Sequence, residues 1–165
     1  MDVLHAPWRI QYILAPKQAE DQSLFCRIAQ SNDDEGNHVI ARRKTCFALL
    51  NTFPYNGGHL MVVPYRQVPE LNDLTEEESG ELMKLTQECI STLKKTMRPD
   101  GFNVGINLGK CAGAGIANHL HVHVVPRWSG DTNFMPVLGQ TSVLPQALAD
   151  IAAQLRASLS ITDTL

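Results

Sequence analysis

Several things are scarce in this chain of 165 residues, and each scarcity narrows what it can be. Long apolar runs are missing: the longest hold a few residues, against the ~20 that a bilayer-crossing helix needs, so no membrane role is expected. The first residues, Met1-Asp2-Val3-Leu4-His5-Ala6-Pro7-Trp8-Arg9, lack a cationic segment followed by an apolar core, so no secretory signal is read there. Paired cysteine spacing is missing too. The four cysteines stand at 26, 46, 89 and 111, and the expectation is four reduced thiols in a cytoplasm. Charge of one sign is not in excess: 14 Lys and Arg face 17 Asp and Glu, which argues against a generally basic nucleic-acid binder and leaves room for a local cationic pocket. Solenoid repeats and Gly/Ser or Pro linkers are absent as well. With 44% apolar and 19% charged residues, disorder is excluded and one domain spanning 1–165 is expected.

What is present reads as alternating short elements. Cys46-Phe-Ala-Leu-Leu50 is an apolar run suited to a buried strand, Asn51 to Gly58 supplies turn residues, and His59 to Val63 resumes as a strand that Pro64 ends. Thr75-Glu76-Glu77-Glu78 is a capping box, and Leu82, Thr86, Cys89, Ile90, Leu93 and Met97 share one face of the helix after it. Pro99-Asp100-Gly101 breaks that helix. Phe102 to Leu108 alternates with period two as a half-buried strand, Gly109 to Asn118 is a glycine-containing loop, and about 144–159 is an amphipathic helix. Strands and helices do not form repeated βαβ units, so the class is α+β on an antiparallel sheet.

Three of the six histidines fall within five residues, His119-Leu120-His121-Val122-His123. On a strand, successive side chains point to opposite faces, so the three rings share one face at about 6–7 Å spacing while Leu120, Val122 and Val124 enter the core. A single strand histidine is usually structural, but a core gains nothing from three adjacent titratable rings. Two chemistries fit. Alternate imidazoles can bind a metal, or one neutral imidazole can attack phosphorus while its neighbours donate to phosphate oxygens. From Gly101 to Gly130 there is no Asp or Glu, while Lys110 and Arg127 add positive charge, and this favours the polyanion. His59, after Gly57-Gly58, is a further candidate.

The run His119-Leu-His-Val-His-Val-Val125 resembles the signature of the histidine triad (HIT) family. The segments 46–51, 58–64 and 101–108 are similar to the family core, and the likeness runs from about Trp8 to Pro136. The continuation from Val125 to Pro136 resembles the bacterial branch related to diadenosine polyphosphate hydrolases and phosphorylases. The resemblance implies a five-stranded antiparallel sheet with two main helices, a core over about 8–136, and a homodimer. It also implies hydrolysis or nucleotidyl transfer on adenine nucleotides through a covalent nucleotidyl-histidine intermediate. His121 is then the nucleophile, with His119 and His123 orienting it and binding phosphate. Asn51 would hold the ribose hydroxyls, Phe47, Ala48 and Leu49 would line the base pocket, and Asn107 would face the α-phosphate. Gly115 and Trp128 complete the nucleotide-binding set.

Many relatives carry a Cys-x-x-Cys pair that joins histidines around zinc. Here Ser23-Leu24-Phe25-Cys26 keeps only the second cysteine, so a full zinc site is not carried over, and Cys26, His59 and His119 are the remaining metal candidates. No cofactor is expected beyond magnesium accompanying the substrate. Other branches place Gln and Ser or Thr before the triad where this chain has Gly115-Ile116. The alternatives are a nucleotide sensor that binds without turnover, and a histidine metal-binding protein.

Overall fold

In the computed structural model, which describes residues 22–131 and 146–160, the apolar alternation forms five strands. They are β1 (Val39–Arg42), β2 (Cys46–Leu50), β3 (Leu60–Pro64), β4 (Gly101–Ile106) and β5 (Val122–Arg127). They pair in the order β1-β2-β3-β5-β4, each neighbour antiparallel. Three helices pack on this sheet: α1 (Leu24–Gln30), α2 (Glu76–Met97) and α3 (Leu148–Ser160). The two longer helices answer to the two expected from the sequence, and short α1 is an addition. Residues 144 and 145 of the expected last helix lie outside the described residues, as do 8–21 and 132–136 of the family likeness.

Period two splits the sheet into two faces. Ala48 and Leu50 of β2, Leu60 and Val62 of β3, and Val122 and Val124 of β5 meet Leu82, Leu85, Cys89 and Leu93 of α2 and Ile151 and Leu155 of α3. The opposite residues, Phe47, Leu49, Met61 and Val63, meet Phe25 and Ile28 of α1. Strands β2 and β3 are thus buried on both faces and read as continuous apolar runs.

Helix α2 starts as its sequence demands. The Thr75 hydroxyl accepts from the Glu78 N–H, and the Glu78 carboxylate accepts from the Thr75 N–H at 2.8 Å. The same carboxylate binds Arg66 at 2.6 Å, which holds the Glu78 acid down to about 2. Gly58, at the entry to β3, has φ +77°, and a Cβ there would stand 2.6 Å from Met97 Sδ at the end of α2.

The expected strand over 102–108 is Gly101–Ile106 and forms a sheet edge. Phe102 and Ile106 pack on the core, but Val104 is 47% exposed rather than half-buried.

Candidate active site

The histidine segment departs from expectation in one respect. The strand was expected to begin at His119, but the β5 ladder begins at Val122, opposite Val62 and Ile106. The reason lies in β3. Its last residue, Pro64, has no N–H to offer the next rung, and the Leu120 N–H turns instead to the Val68 carbonyl at 2.7 Å. The alternation of faces survives without the ladder, since Leu120 is in the main core while His119 and His121 lie against Phe25 of α1. Pro126 is accommodated within β5. It lies beyond the stretch of β5 that pairs with β3, and its carbonyl accepts from Asn56 Nδ2 at 3.2 Å.

Fixed partners determine the tautomer of each ring. His119 Nε2 is 2.8 Å from the Pro64 carbonyl, which can only accept, so Nε2 carries the proton. Its Nδ1 is then the acceptor for the Ser23 hydroxyl at 2.5 Å. His121 Nδ1 is 2.9 Å from the His119 carbonyl, so Nδ1 carries the proton and the lone pair sits on Nε2. Burial lowers the pKa of both His119 and His121, keeping the rings neutral. A neutral imidazole with its lone pair on a defined atom is what nucleophilic attack requires.

His123 is set by a longer chain. The Tyr55 backbone N–H donates to His59 Nδ1 at 3.1 Å, so His59 carries its proton on Nε2 and donates to His123 Nδ1 at 3.0 Å. The proton of His123 therefore lies on Nε2, 3.4 Å from Asn107 Nδ2. Two donors side by side suit a shared anionic acceptor. The His121 and His123 rings are in edge contact, with centroids 4.7 Å apart, so the lone pair and the donor pair belong to one site.

A family model described as HIT domain matches residues 32–130. The chain belongs to that family. It is 52% identical over 154 residues to a Mycobacterium tuberculosis protein named AP-4-A phosphorylase, covering 89% of this chain and 78% of the relative. Among solved structures, a zinc-bound histidine triad family protein from Mycobacterium smegmatis matches with TM-score 0.69 and 25% identity, covering 87% of this chain and 96% of the other. A histidine triad nucleotide-binding protein from Sulfolobus tokodaii matches with TM-score 0.70 and 24% identity, covering 86% and 94%, and shares the fold.

Not every candidate joins the triad of this HIT protein. His59 and Asn107 do. Asn51 lies beside them, its Nδ2 3.5 Å from His59 Nδ1, while its Oδ1 accepts from the Phe53 N–H. Phe47 and Leu49 are on the histidine face but at most 3% exposed, and Phe47 stacks on Tyr65, so neither offers open surface. Gly115 lies in the loop entering His119, and its neighbour Ile116 packs against the α1 cluster. Trp128 is held in a turn by Asp131, five residues past His123 and about 16 Å along an extended strand. Arg127 does not supply the charge expected of it, because Asp131 takes it in a two-pronged ion pair and Asn103 binds the same guanidinium.

The metal candidates do not converge. Cys26 and His119 are 3.7 Å apart with Ser23 and Gln67 as neighbours, whereas His59 pairs with His123. Among the described residues no three of His, Cys, Asp and Glu form a group that could hold a metal ion. One thiol and one imidazole do not make a zinc set. Sequence reasoning missed Ser23, Phe25, Tyr55 and Gln67. Tyr55 acts through its backbone, which leaves no mark in the sequence.

Proposed function

We propose that this chain cleaves dinucleoside polyphosphates such as diadenosine tetraphosphate through a nucleotidyl-His121 intermediate. The observation that carries this reading is the locked tautomer of His121, with its Nε2 lone pair beside the donors of His123 and Asn107. The 52% likeness to a protein named AP-4-A phosphorylase supports it and favours inorganic phosphate as the final acceptor.

In the first displacement His121 Nε2 attacks the α-phosphorus, a P–N bond forms, and the P–O bond to the departing nucleotide breaks. His123 Nε2–H and Asn107 Nδ2 donate to the phosphate oxygens as charge builds there. In the second, phosphate or water attacks the same phosphorus and the P–N bond breaks, returning the electron pair to Nε2. His121 Nδ1–H donates to the His119 carbonyl throughout, so the positive charge on the nucleotidylated ring is met by a carbonyl dipole. None of these steps calls on a protein-bound metal, and magnesium travels with the polyphosphate.

The reading extends to one domain over the whole chain, working as a homodimer in a cytoplasm. The exposed Val104 on edge strand β4 supports the first association, and four unpaired thiols support the compartment. No helix among the described residues is long and apolar enough to cross a membrane.

The test is incubation with diadenosine tetraphosphate, with and without inorganic phosphate, and separation of the products. ADP plus ATP appearing only with phosphate is the expected result. AMP plus ATP without phosphate would assign water as the acceptor. No product in either tube, from protein that binds the nucleotide, would overturn the proposal in favour of a sensor.

A further inference from the structure

We propose that Ser23, at the start of α1, is a positioning residue for His121 that acts through His119, with Gln67 setting Ser23 in place. The proposal rests on the reading of His121 as the nucleophile. It begins from a gap in the sheet. Residues 119–121 precede the β5 ladder, so the peptide that orients His121 is not held by strand pairing. Its own backbone bonds are one strong contact, Leu120 N–H to Val68, and one long contact, His119 N–H to the Ile116 carbonyl at 3.5 Å. The direction of the His119 carbonyl, which receives the His121 Nδ1–H, therefore depends on how the His119 side chain is anchored.

That anchoring has two ends. The Pro64 carbonyl takes Nε2–H, and the Ser23 hydroxyl donates to Nδ1. Ser23 is only 5% exposed, so water does not compete for the contact. Both roles of its oxygen are filled, because Oγ also accepts from the Cys26 N–H at 3.2 Å as the N-cap of α1. Gln67, just beyond β3, holds the pair from the other side. Its Oε1 accepts from the Ser23 N–H at 3.0 Å and from the Cys26 thiol at 3.3 Å. The thiol is committed to that oxygen and stands 3.7 Å from His119 Nδ1, which leaves the hydroxyl as the closer donor. Two residues along, Phe25 lies against both His119 and His121, with ring centroids 5.4 and 5.1 Å away. Helix α1 thus backs the nucleophile with an aromatic ring and fixes its neighbour with a hydroxyl.

Since Ser23 acts behind the triad, its loss is expected in kcat more than in KM. The test compares wild-type protein with Ser23→Ala, Ser23→Gly and Ser23→Thr. Imidazole tautomers are read from two-bond proton–nitrogen correlation spectra, and rates are measured on diadenosine tetraphosphate with phosphate. Glycine is a competent N-cap, so Ser23→Gly removes the hydroxyl while sparing the helix, and it replaces the alanine variant should that fail to fold. In both, His121 is expected to lose its single-tautomer pattern, whereas His119, still donating its Nε2–H to the Pro64 carbonyl, keeps its own. With the hydroxyl gone and only the more distant, weaker Cys26 thiol left near Nδ1, kcat should fall about tenfold while KM stays within about twofold. Ser23→Thr, which keeps donor and cap, restores both readouts. An unchanged His121 tautomer pattern in the alanine and glycine variants, or an unchanged kcat, would overturn the proposal. The spectra need no substrate, so an inactive wild-type protein would count against the proposed reaction and leave the Ser23–His119–His121 link to be judged on the tautomers alone.

Discussion

Replacing His59 by phenylalanine isolates the hydrogen-bond chain that feeds the site. The phenyl ring keeps the stacking on Tyr55, now at a 4.7 Å centroid distance, but it exceeds imidazole by about a methylene, which at a side chain with no exposed surface adds about 1 kcal/mol of packing strain. What it removes is polar: the Tyr55 N–H loses its acceptor and His123 Nδ1 loses its donor. Each orphaned group costs about 1–3 kcal/mol when buried, and because His123 is only partly buried we take the lower half for that end, giving about 2–5 kcal/mol for the two polar groups. Urea unfolding should report this as a lower midpoint at unchanged m-value. The loss should also reach the chemistry. Without a donor on Nδ1, His123 no longer holds its proton on Nε2 alone, and kcat/KM should fall by about tenfold or more, the equivalent of one misplaced donor at a developing charge. Nitrogen spectra of the His123 ring check the cause directly. A stability loss below about 1 kcal/mol together with an unchanged Nε2–H signature would refute the argument that the chain from Tyr55 sets this tautomer.

His121→Ala should abolish turnover by several orders of magnitude while leaving the urea midpoint close to wild type; near-normal turnover would remove His121 from its role. The pKa of His119 and His121 is lowered by burial, so activity should persist below pH 6.5, where an ordinary imidazole begins to protonate. Stability should move the other way. The unfolded chain takes up protons near pH 6.5 while the folded rings stay neutral, so each ring removes up to about 1.4 kcal/mol per pH unit as pH falls through that value, measurable as a drop in urea midpoint between pH 8 and 5.5. Gly58→Ala should cost about 1–3 kcal/mol, from a left-handed backbone and a Cβ set against Met97 Sδ, and an unchanged melting temperature would contradict the packing described.

The main features of the fold were legible in the sequence because they rest on local signals. The Thr75–Glu78 capping box, the β2–turn–β3 pairing and the alternation from Leu120 to Val124 each follow from side-chain chemistry over a few residues. Helix α1 was not legible. Its seven residues bury only Phe25 and Ile28, one turn of pattern, too short for a period to emerge. Strand β1 hid for another reason: it has four residues and an irregular register between Val39 and Ala41, so no alternation survives, and it follows His38 with φ 54°, a left-handed position taken by a residue other than glycine. The site divides the same way. The triad announced itself by spacing, whereas its protons are fixed by the backbone of Pro64, His119 and Tyr55 and by the His59 ring, with Ser23 and Gln67 behind them. His59 carried a chemical hint, and Ser23 only the mark of standing where many relatives have a cysteine. Arg127 was misjudged because Asp131, its partner, lies one residue beyond the glycine that closed the acid-free window.

The alternation along residues 119–124 ties catalysis to folding more closely than a loop-borne site would. Sliding this segment by one residue against β3 and β4 would send three imidazoles toward α2 and α3 and turn Leu120, Val122 and Val124 toward the face that α1 covers. No misregistered chain could keep a sound interior and a disordered triad, or the reverse. The same few residues act as their own proofreader, because the register that fills the core is the one that puts the three imidazoles on a single face.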